Sequence, residues 1–149
     1  MKSKLLSAGG EKEKTYALVF ERGDEVIRAL TDFAAGHGLG GSHFTAIGAF
    51  SDVTLGYFDR QAKAYQKILV REQVEVLSLV GDVALKDGQP QVHAHVVLGK
   101  ADGTAHGGHL LEGHVWPTLE VILVESPKHL RRRLDPATGL ALIDLGETA

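Results

Sequence analysis

The chain has 149 residues, of which 44% are apolar and 23% charged, and its formal net charge is −3 at pH 7. This composition predicts one folded domain with a sizeable core, and it excludes both disorder of the bulk of the chain and a global basic field for nucleic acid. The absence of cysteine excludes disulfides and thiolate metal ligands, and it is compatible with a reducing cytoplasm, where we expect the protein.

The beginning of the chain predicts an arm, a strand and a helix. Residues 1–14 are mostly polar, so we expect a flexible N-terminal arm. Residues 15–20 are apolar and β-prone, which predicts the first strand. Asp24 is the expected N-cap of a helix with apolar residues at helical spacing, and Gly36 and Gly38 would end it.

The remainder of the chain predicts strands joined by short turns. The expected strands are 42–50, 53–58, 65–70, 74–85, 92–98, one that ends near 115, and 119–124. A tail follows, with three arginines at 131–133 and a final apolar stretch at 140–145. One helix with seven or more strands predicts an α+β fold with a largely antiparallel sheet, in a single domain over residues 15–146.

Two of the eight histidines, His93 and His95, lie in the predicted strand 92–98. Residues two apart in a strand leave the same face, so this pair can offer two imidazoles to one ion. A zinc site with an open position needs a third protein ligand. The next strand contains two candidates for it, His106 and His109.

The loop between these strands distinguishes the two candidates. If residues 101–103 form a three-residue loop with the glycine in the left-handed conformation, His109 lies opposite His95 on the same face. A two-residue loop would bring His106 instead, and the glycine pair before His109 could shift the register through a bulge. The Asp-Gly placement favours His109, with His106 as the alternate third ligand. His37 is interpreted as a favourable charge at the end of the helix, and His43, His114 and His129 are interpreted as structural or exposed.

Six short motifs follow one another along nearly the whole chain. They are TAIGA at 45–49, GYF at 56–58, VEVLSLVG at 74–81, HAH at 93–95, GGHL at 107–110 and TLEV at 118–121. In order and spacing they resemble the PPC (plants-and-prokaryotes-conserved) domain, which is found alone in bacteria and archaea and fused to AT-hooks in plants. The resemblance covers about residues 16–145 and is to the stand-alone prokaryotic type.

This resemblance implies an α+β domain that assembles as a homotrimer. Prokaryotic members look like metal proteins, with the H-x-H pair and the histidine of Gly-Gly-His as zinc ligands, which carries over onto His93, His95 and His109. The fold is also similar to that of acetolactate decarboxylase, a zinc enzyme with three histidine ligands. There the third histidine follows at a spacing nearer that of His106, so both assignments stay open.

The first functional hypothesis is a trimeric DNA-binding or regulatory module with zinc, or another divalent transition metal, serving structure or the sensing of a small-molecule ligand. The chain has no Arg-Gly-Arg core of an AT-hook, and its one dense basic cluster is Lys128 with Arg131, Arg132 and Arg133. We therefore expect DNA binding to be weak and not sequence-specific. No membrane partner is expected, since no apolar run approaches the roughly 20 residues needed to span a bilayer.

The alternative is a zinc-dependent enzyme that uses the ion as a Lewis acid on a small oxygenated substrate. Such chemistry needs a proton carrier near the ion, and the candidates are Glu120, Glu75 and Glu112. A third hypothesis is a structural trimer whose histidines only join the subunits.

Overall fold

The computed structural model describes residues 1–8 and 13–146, which form nine strands and one helix. In chain order these are β1 (Lys2–Ala8), β2 (Lys14–Glu21), α1 (Val26–His37), β3 (Gly41–Asp59), β4 (Ala64–Val70), β5 (Val74–Lys86), β6 (Gln89–Gly99), β7 (Ala105–Glu125), β8 (Arg131–Leu134) and β9 (Ala141–Asp144). Every strand pair is antiparallel except β5 with β8. The predicted α+β class with a largely antiparallel sheet is confirmed. No helix in this part of the chain has both the length and the apolar character needed to cross a membrane.

The two longest strands, β3 and β7, organise the sheet. They pair with each other along most of their length, and β7 also pairs with β2 and β6 while β3 also pairs with β4 and β5. Strand β6 lies between β5 and β7, so β3, β5, β6 and β7 pair in a closed ring. This ring places the strand with the H-x-H pair directly beside the first residues of β7.

Helix α1 packs against the sheet through one apolar side. Val26, Leu30 and Ala34 have no exposed surface and Phe33 is 6% exposed, because these positions recur at three- and four-residue spacing on one side of the helix. Burying a leucine in this way contributes about 1.5–3 kcal/mol. Elsewhere the sheet carries exposed apolar side chains, among them Ile47, Leu77, Val80, Val97 and Ile122.

The helix begins one residue later than predicted. Glu25, and not Asp24, is the N-cap, since its carboxylate accepts hydrogen bonds from the backbone N–H groups two and three residues further on, at 3.0 and 2.7 Å. Asp24 instead pairs with the amino group of Met1 at 2.7 Å, which occupies the carboxylate that was expected to cap. Gly38 follows the helix with φ 63°, as predicted for a left-handed C-terminal glycine.

Part of the segment expected as a flexible N-terminal arm, residues 1–14, is a strand of the sheet. Lys2–Ala8 forms β1, which pairs antiparallel with β2. A free edge of β2 offers unpaired backbone groups, and a polar segment satisfies them as well as an apolar one does. Residues 9–12 of the expected arm lie outside the described residues, and the boundaries of the single domain at 15–146 stay a prediction.

Two predicted interruptions are absent from the long strands. The expected strands 42–50 and 53–58 are one strand, β3, and those up to 115 and over 119–124 are one strand, β7. Because β3 and β7 pair with each other, the sheet accommodates the irregular residues as three register shifts between Gly48 and Leu55. The tail forms the β8–β9 hairpin, with a turn at residues 135–139.

Candidate metal centre

The β6–β7 hairpin has the register that the three-residue loop predicts. Gly103 has φ 79°, and Lys100 and Thr104 close the loop through a backbone hydrogen bond of 2.9 Å. His95 therefore lies opposite His109, while His106 lies opposite Leu98. His106 is exposed and does not belong to the histidine group.

His93, His95 and His109 form a group that can hold one metal ion. Each contributes one ring nitrogen, and the three nitrogens lie within 4.8 Å of one another. The ring centroids are separated by 5.1 Å for His93 and His95, 5.1 Å for His93 and His109, and 5.4 Å for His95 and His109. Ligands of a tetrahedral zinc ion at about 2.0–2.1 Å lie roughly 3.3 Å apart. Small side-chain rotations would therefore bring the three imidazoles to one ion.

The environment favours the neutral form of His95 and His109, which is the form of imidazole that binds metals. Burial, followed by the nearby His93 and His95, lowers the pKa of His109 to about 4. Burial and His93 also lower the pKa of His95. His109 Nδ1 is buried and has no hydrogen-bond partner among the described residues, so an ion or a group bound beside it would satisfy an otherwise unpaired atom.

Asp82 and Arg132 form an ion pair next to His93 of the histidine group. Asp82 Oδ2 lies 3.6 Å from His93 Nδ1, and Asp82 also pairs with the guanidinium of Arg132. Burial would raise the pKa of Asp82, but its contacts with His93 and Arg132 outweigh that effect and hold the pKa below its usual range. A carboxylate at one nitrogen of a histidine orients the ring and makes the other nitrogen a better ligand.

A pocket of about 170 Å³ opens beside His93 and His109. Its lining comes from β4, β6, β7, β8 and the residues around the start of β9: Tyr65, Gln91, Val92, His93, His109, Arg132, Leu140, Ala141 and Leu142. Tyr65 stacks on His109, with the ring centroids 4.6 Å apart and the planes at 28°. The imidazole of His109 is therefore held between its strand and an aromatic ring.

The three glutamates expected as proton carriers do not line this pocket. Glu75 and Glu120 line a different pocket of about 430 Å³, next to Ile47. Glu112 Oε1 lies 3.7 Å from His114 Nε2, and the other ring nitrogen of His114 contacts Asp52 at 2.8 Å. Among the described residues the polar groups near the histidines are instead Asp82, Arg132, Gln91 and Tyr65, which sequence reasoning did not connect with the site.

The basic cluster of the tail is only partly a solvated surface. The side chain of Arg132 is 5% exposed and pairs with Asp82, while Arg133 pairs with Asp144 at 2.7 Å. Two of the arginines therefore have carboxylate partners within this chain, which reduces the positive charge that the cluster offers to phosphate.

Several solved structures are similar to this fold. A plant- and prokaryote-conserved (PPC) protein of Pyrococcus horikoshii shares 32% identity, covering 99% of this chain and 97% of that chain with a TM-score of 0.84. A metal-containing protein of Archaeoglobus fulgidus shares 37%, covering 87% and 92% with a TM-score of 0.81. A candidate DNA-binding protein of Bacteroides thetaiotaomicron shares 27%, covering 95% and 96% with a TM-score of 0.87. A Staphylococcus aureus protein similar to alpha-acetolactate decarboxylase matches at a TM-score of 0.52 and 16% identity, over 74% of this chain and 51% of that chain, which shows a likeness of fold alone.

Curated relatives and a family model identify the family. The bifunctional protein GlmU from two Synechococcus strains is 32% and 33% identical over 139 and 129 residues, which are 91% and 85% of this chain. The chain spans about a fifth of the length of these relatives, since the matches cover 21% and 19% of them. The model of the Plants and Prokaryotes Conserved (PCC) domain matches residues 7–127. Together with the structural matches, this confirms the resemblance seen in the motifs, and the chain belongs to the Plants and Prokaryotes Conserved domain family, which is also abbreviated PPC.

Proposed function

We propose that this protein is a metal-dependent binding module in which His93, His95 and His109 hold one zinc ion or another divalent transition-metal ion. The observation that carries the proposal is the convergence of three imidazole nitrogens within 4.8 Å, on a hairpin that opens onto a pocket. The Archaeoglobus fulgidus neighbour, described as a metal-containing protein, supports it. Imidazole suits zinc, copper, iron and nickel, and zinc is the ion that most often combines three protein ligands with an open position.

The surrounding residues prepare these ligands. Asp82 Oδ2, 3.6 Å from His93 Nδ1, is placed to orient the His93 ring once the two close to hydrogen-bond distance, and Arg132 pairs with Asp82 and helps to keep it ionised. Tyr65 fixes the ring plane of His109 by stacking. A bound ion would supply Lewis-acid polarisation of an oxygen atom presented to it. The pocket beside His93 and His109 gives a small molecule a place next to that ion.

The metal content of variants tests the ligand assignment. Wild-type protein purified without chelator is expected to hold one ion per chain by elemental analysis, and His93→Ala or His109→Ala is expected to lose it. His106→Ala is the matched control, because His106 lies on the same strand and outside the group. A loaded His109→Ala protein together with a metal-free His106→Ala protein would contradict the proposal.

We also propose that the module acts as a homotrimer in the cytoplasm. The sheet exposes apolar side chains of β3, β5, β6 and β7, including Ile47 at 62%, Leu77 at 55% and Val80 at 48%. These residues lie on strands that pair with one another, and exposed apolar side chains on neighbouring strands are typical of an interface. Light scattering at micromolar concentration is expected to give three times the chain mass, and a monomeric mass would contradict this assembly.

DNA contact is proposed as a weak, secondary property. The Bacteroides thetaiotaomicron neighbour, described as a candidate DNA-binding protein, supports such contact. The net charge of −3 and the internal pairing of Arg132 and Arg133 limit its strength. Binding at nanomolar concentration to one defined sequence at physiological salt would contradict this part of the proposal.

A second candidate function is a zinc-dependent enzyme acting on a small oxygenated substrate. One observation favours it, the pocket of about 170 Å³ that His93 and His109 help to line. Since Glu75, Glu112 and Glu120 lie elsewhere in this chain, Tyr65 is the group in the pocket lining that can carry a proton.

A further inference from the structure

Buried polar atoms without partners are concentrated at one place in the described part of the chain. They are Gln91 Oε1, His109 Nδ1 and Arg132 Nε. All three residues line the same pocket of about 170 Å³, beside β6, β7 and the β8–β9 hairpin. Folded proteins rarely leave such atoms unpaired, because burial without a hydrogen bond is costly. Their convergence on one pocket points to a bound polar group that pairs with them.

Arg132 is the charged residue of this lining. Its side chain is 5% exposed, its Nη2 pairs with Asp82, and its Nη1 donates to the carbonyl oxygen of Ala141 at 3.1 Å. These two contacts fix the guanidinium and leave the Nε–H as its unpaired buried donor. A guanidinium held in this way is prepared for a negatively charged acceptor, with which its hydrogen bond is strongest.

The charges around the pocket also favour an anion. Among the described residues no carboxylate lines the pocket. The single negative charge of the nearby Asp82 is balanced by the positive charge of Arg132. When the proposed ion is bound to the histidines, the region carries an excess positive charge that an anionic ligand would neutralise. Gln91 can turn its amide to present the NH₂ group to the same anion.

The rest of the lining determines the kind of anion. Val92, Leu140 and Leu142 contribute apolar surface, and Tyr65 contributes an aromatic ring. At about 30 Å³ for each water-sized group, a pocket of about 170 Å³ takes a ligand of roughly half a dozen non-hydrogen atoms. Inorganic phosphate would leave the apolar lining without a partner.

We infer that this pocket binds a small organic carboxylate, whose charged end pairs with Arg132 and the ion and whose short apolar body packs against Leu140 and Leu142. The inference rests on the proposed metal site and names the ligand class that this site takes. It assigns the β8–β9 hairpin the role of a wall of the ligand site, because this hairpin supplies Arg132 and both leucines.

Calorimetric titration of the zinc-loaded protein tests the ligand class. The probes are isobutyrate, its neutral isostere isobutyramide, and inorganic phosphate. Isobutyrate is expected to bind at least about tenfold more tightly than isobutyramide, since only the carboxylate makes a charged hydrogen bond. Equal binding of isobutyrate and isobutyramide, or tighter binding of phosphate than of isobutyrate, would overturn the inference.

A pair of neighbouring arginine variants tests the anchor. Arg132→Gln is expected to weaken isobutyrate binding about tenfold, whereas Arg133→Gln, with a side chain that is 75% exposed, should stay within about twofold of the wild type. Equal effects of the two variants would overturn the role of Arg132. If circular dichroism shows that Arg132→Gln does not fold, Arg132→Lys takes its place. The comparison of isobutyrate with isobutyramide on the wild-type protein tests the ligand class without any variant.

Elemental analysis of every sample separates this inference from the proposed function. If the protein holds its ion but binds isobutyrate no more tightly than isobutyramide, the inferred ligand class is wrong and the proposed metal site is unaffected. If the protein holds no ion but still binds isobutyrate more tightly than isobutyramide, and this difference depends on Arg132, the inferred ligand pocket is supported and the proposed metal site is wrong.

Discussion

Alternate residues of β6 enter two different environments. Ala94, Val96 and Leu98 are at most 2% exposed and belong to the core, whereas His93 and His95 leave the opposite face and converge with His109. A single strand therefore has core side chains on one face and candidate metal ligands on the other. Because the two sets of side chains lie on opposite faces of the strand, substitutions on the core face should act mainly on the free energy of unfolding, and substitutions on the histidine face should act mainly on metal binding.

The largest expected effect is on the core face. Leu98→Ala should lower the free energy of unfolding by about 2–5 kcal/mol, because it removes buried methyl groups and leaves a cavity. Urea denaturation of the metal-free protein measures this. His106→Ala is the matched control, since His106 lies directly opposite Leu98 but is exposed, and it should change stability by no more than about 0.5 kcal/mol. A comparable loss in both variants would remove the distinction between the faces.

On the histidine face, the metal should stabilise the folded protein only when all three ligands are present. Zinc at about 100 times its dissociation constant should raise the free energy of unfolding of the wild type by about 2.7 kcal/mol, because it binds the folded state. His109→Leu should show no such increase. Its metal-free stability should equal or exceed that of the wild type, since the change removes a buried nitrogen that has no partner. A large zinc-induced increase in His109→Leu would contradict the ligand set.

The carboxylate behind the ligands gives the next effect. Asp82→Asn should weaken metal binding about 10- to 100-fold, the usual consequence of losing a carboxylate that orients a ligand histidine. A competition titration with a chelator measures the affinity. Asp52→Asn is the matched control, because Asp52 contacts His114 at 2.8 Å away from the metal group. Equal losses in the two variants would show that Asp82 acts through the fold and not through His93.

The sequence was sufficient to place the three histidines because local rules govern them. Strand alternation brings His93 and His95 to one face, and the Asp-Gly loop determines which residue of β7 lies opposite His95. Both rules act within a stretch of 17 residues from His93 to His109. Little in the distant parts of the chain could change this result, so the three histidines lie together as predicted, and their assignment as metal ligands stays a proposal.

The surroundings of the site could not be predicted in the same way. Arg132 reaches Asp82 because β8 pairs in parallel with β5, a pairing that no local pattern encodes. Tyr65 of β4 stacks on His109 of β7 because both strands pair with β3, which lies between them. The position of Asp24 shows the same limitation at the helix, where the distant amino group of Met1 takes the expected cap. Residues that depend on tertiary pairing need the structure, even when their own strands are evident from the sequence.

The smallest expected effect is the pH dependence of the metal-free protein. Above about pH 6.5 the imidazole of His109 is neutral in both the folded and the unfolded chain, so it adds no pH dependence. Below that pH the unfolded chain binds a proton at His109, while the folded chain, in which the pKa of His109 is about 4, does not. The free energy of unfolding should therefore fall as the pH is lowered from about 6.5 towards 4, and the lowered pKa of His95 acts in the same direction.

Urea denaturation of the chelator-treated wild type and of His109→Leu, at several pH values across this window, isolates the contribution of the histidine. Carboxylates with lowered pKa values, such as Asp82, affect both proteins equally and mainly below this window. The wild type should lose stability relative to His109→Leu as the pH falls, because only the wild type has an imidazole that takes up its proton on unfolding. Parallel curves for the two proteins would mean that His109 is already protonated in the folded state, and the neutral form inferred for this buried imidazole of β7 would then be wrong.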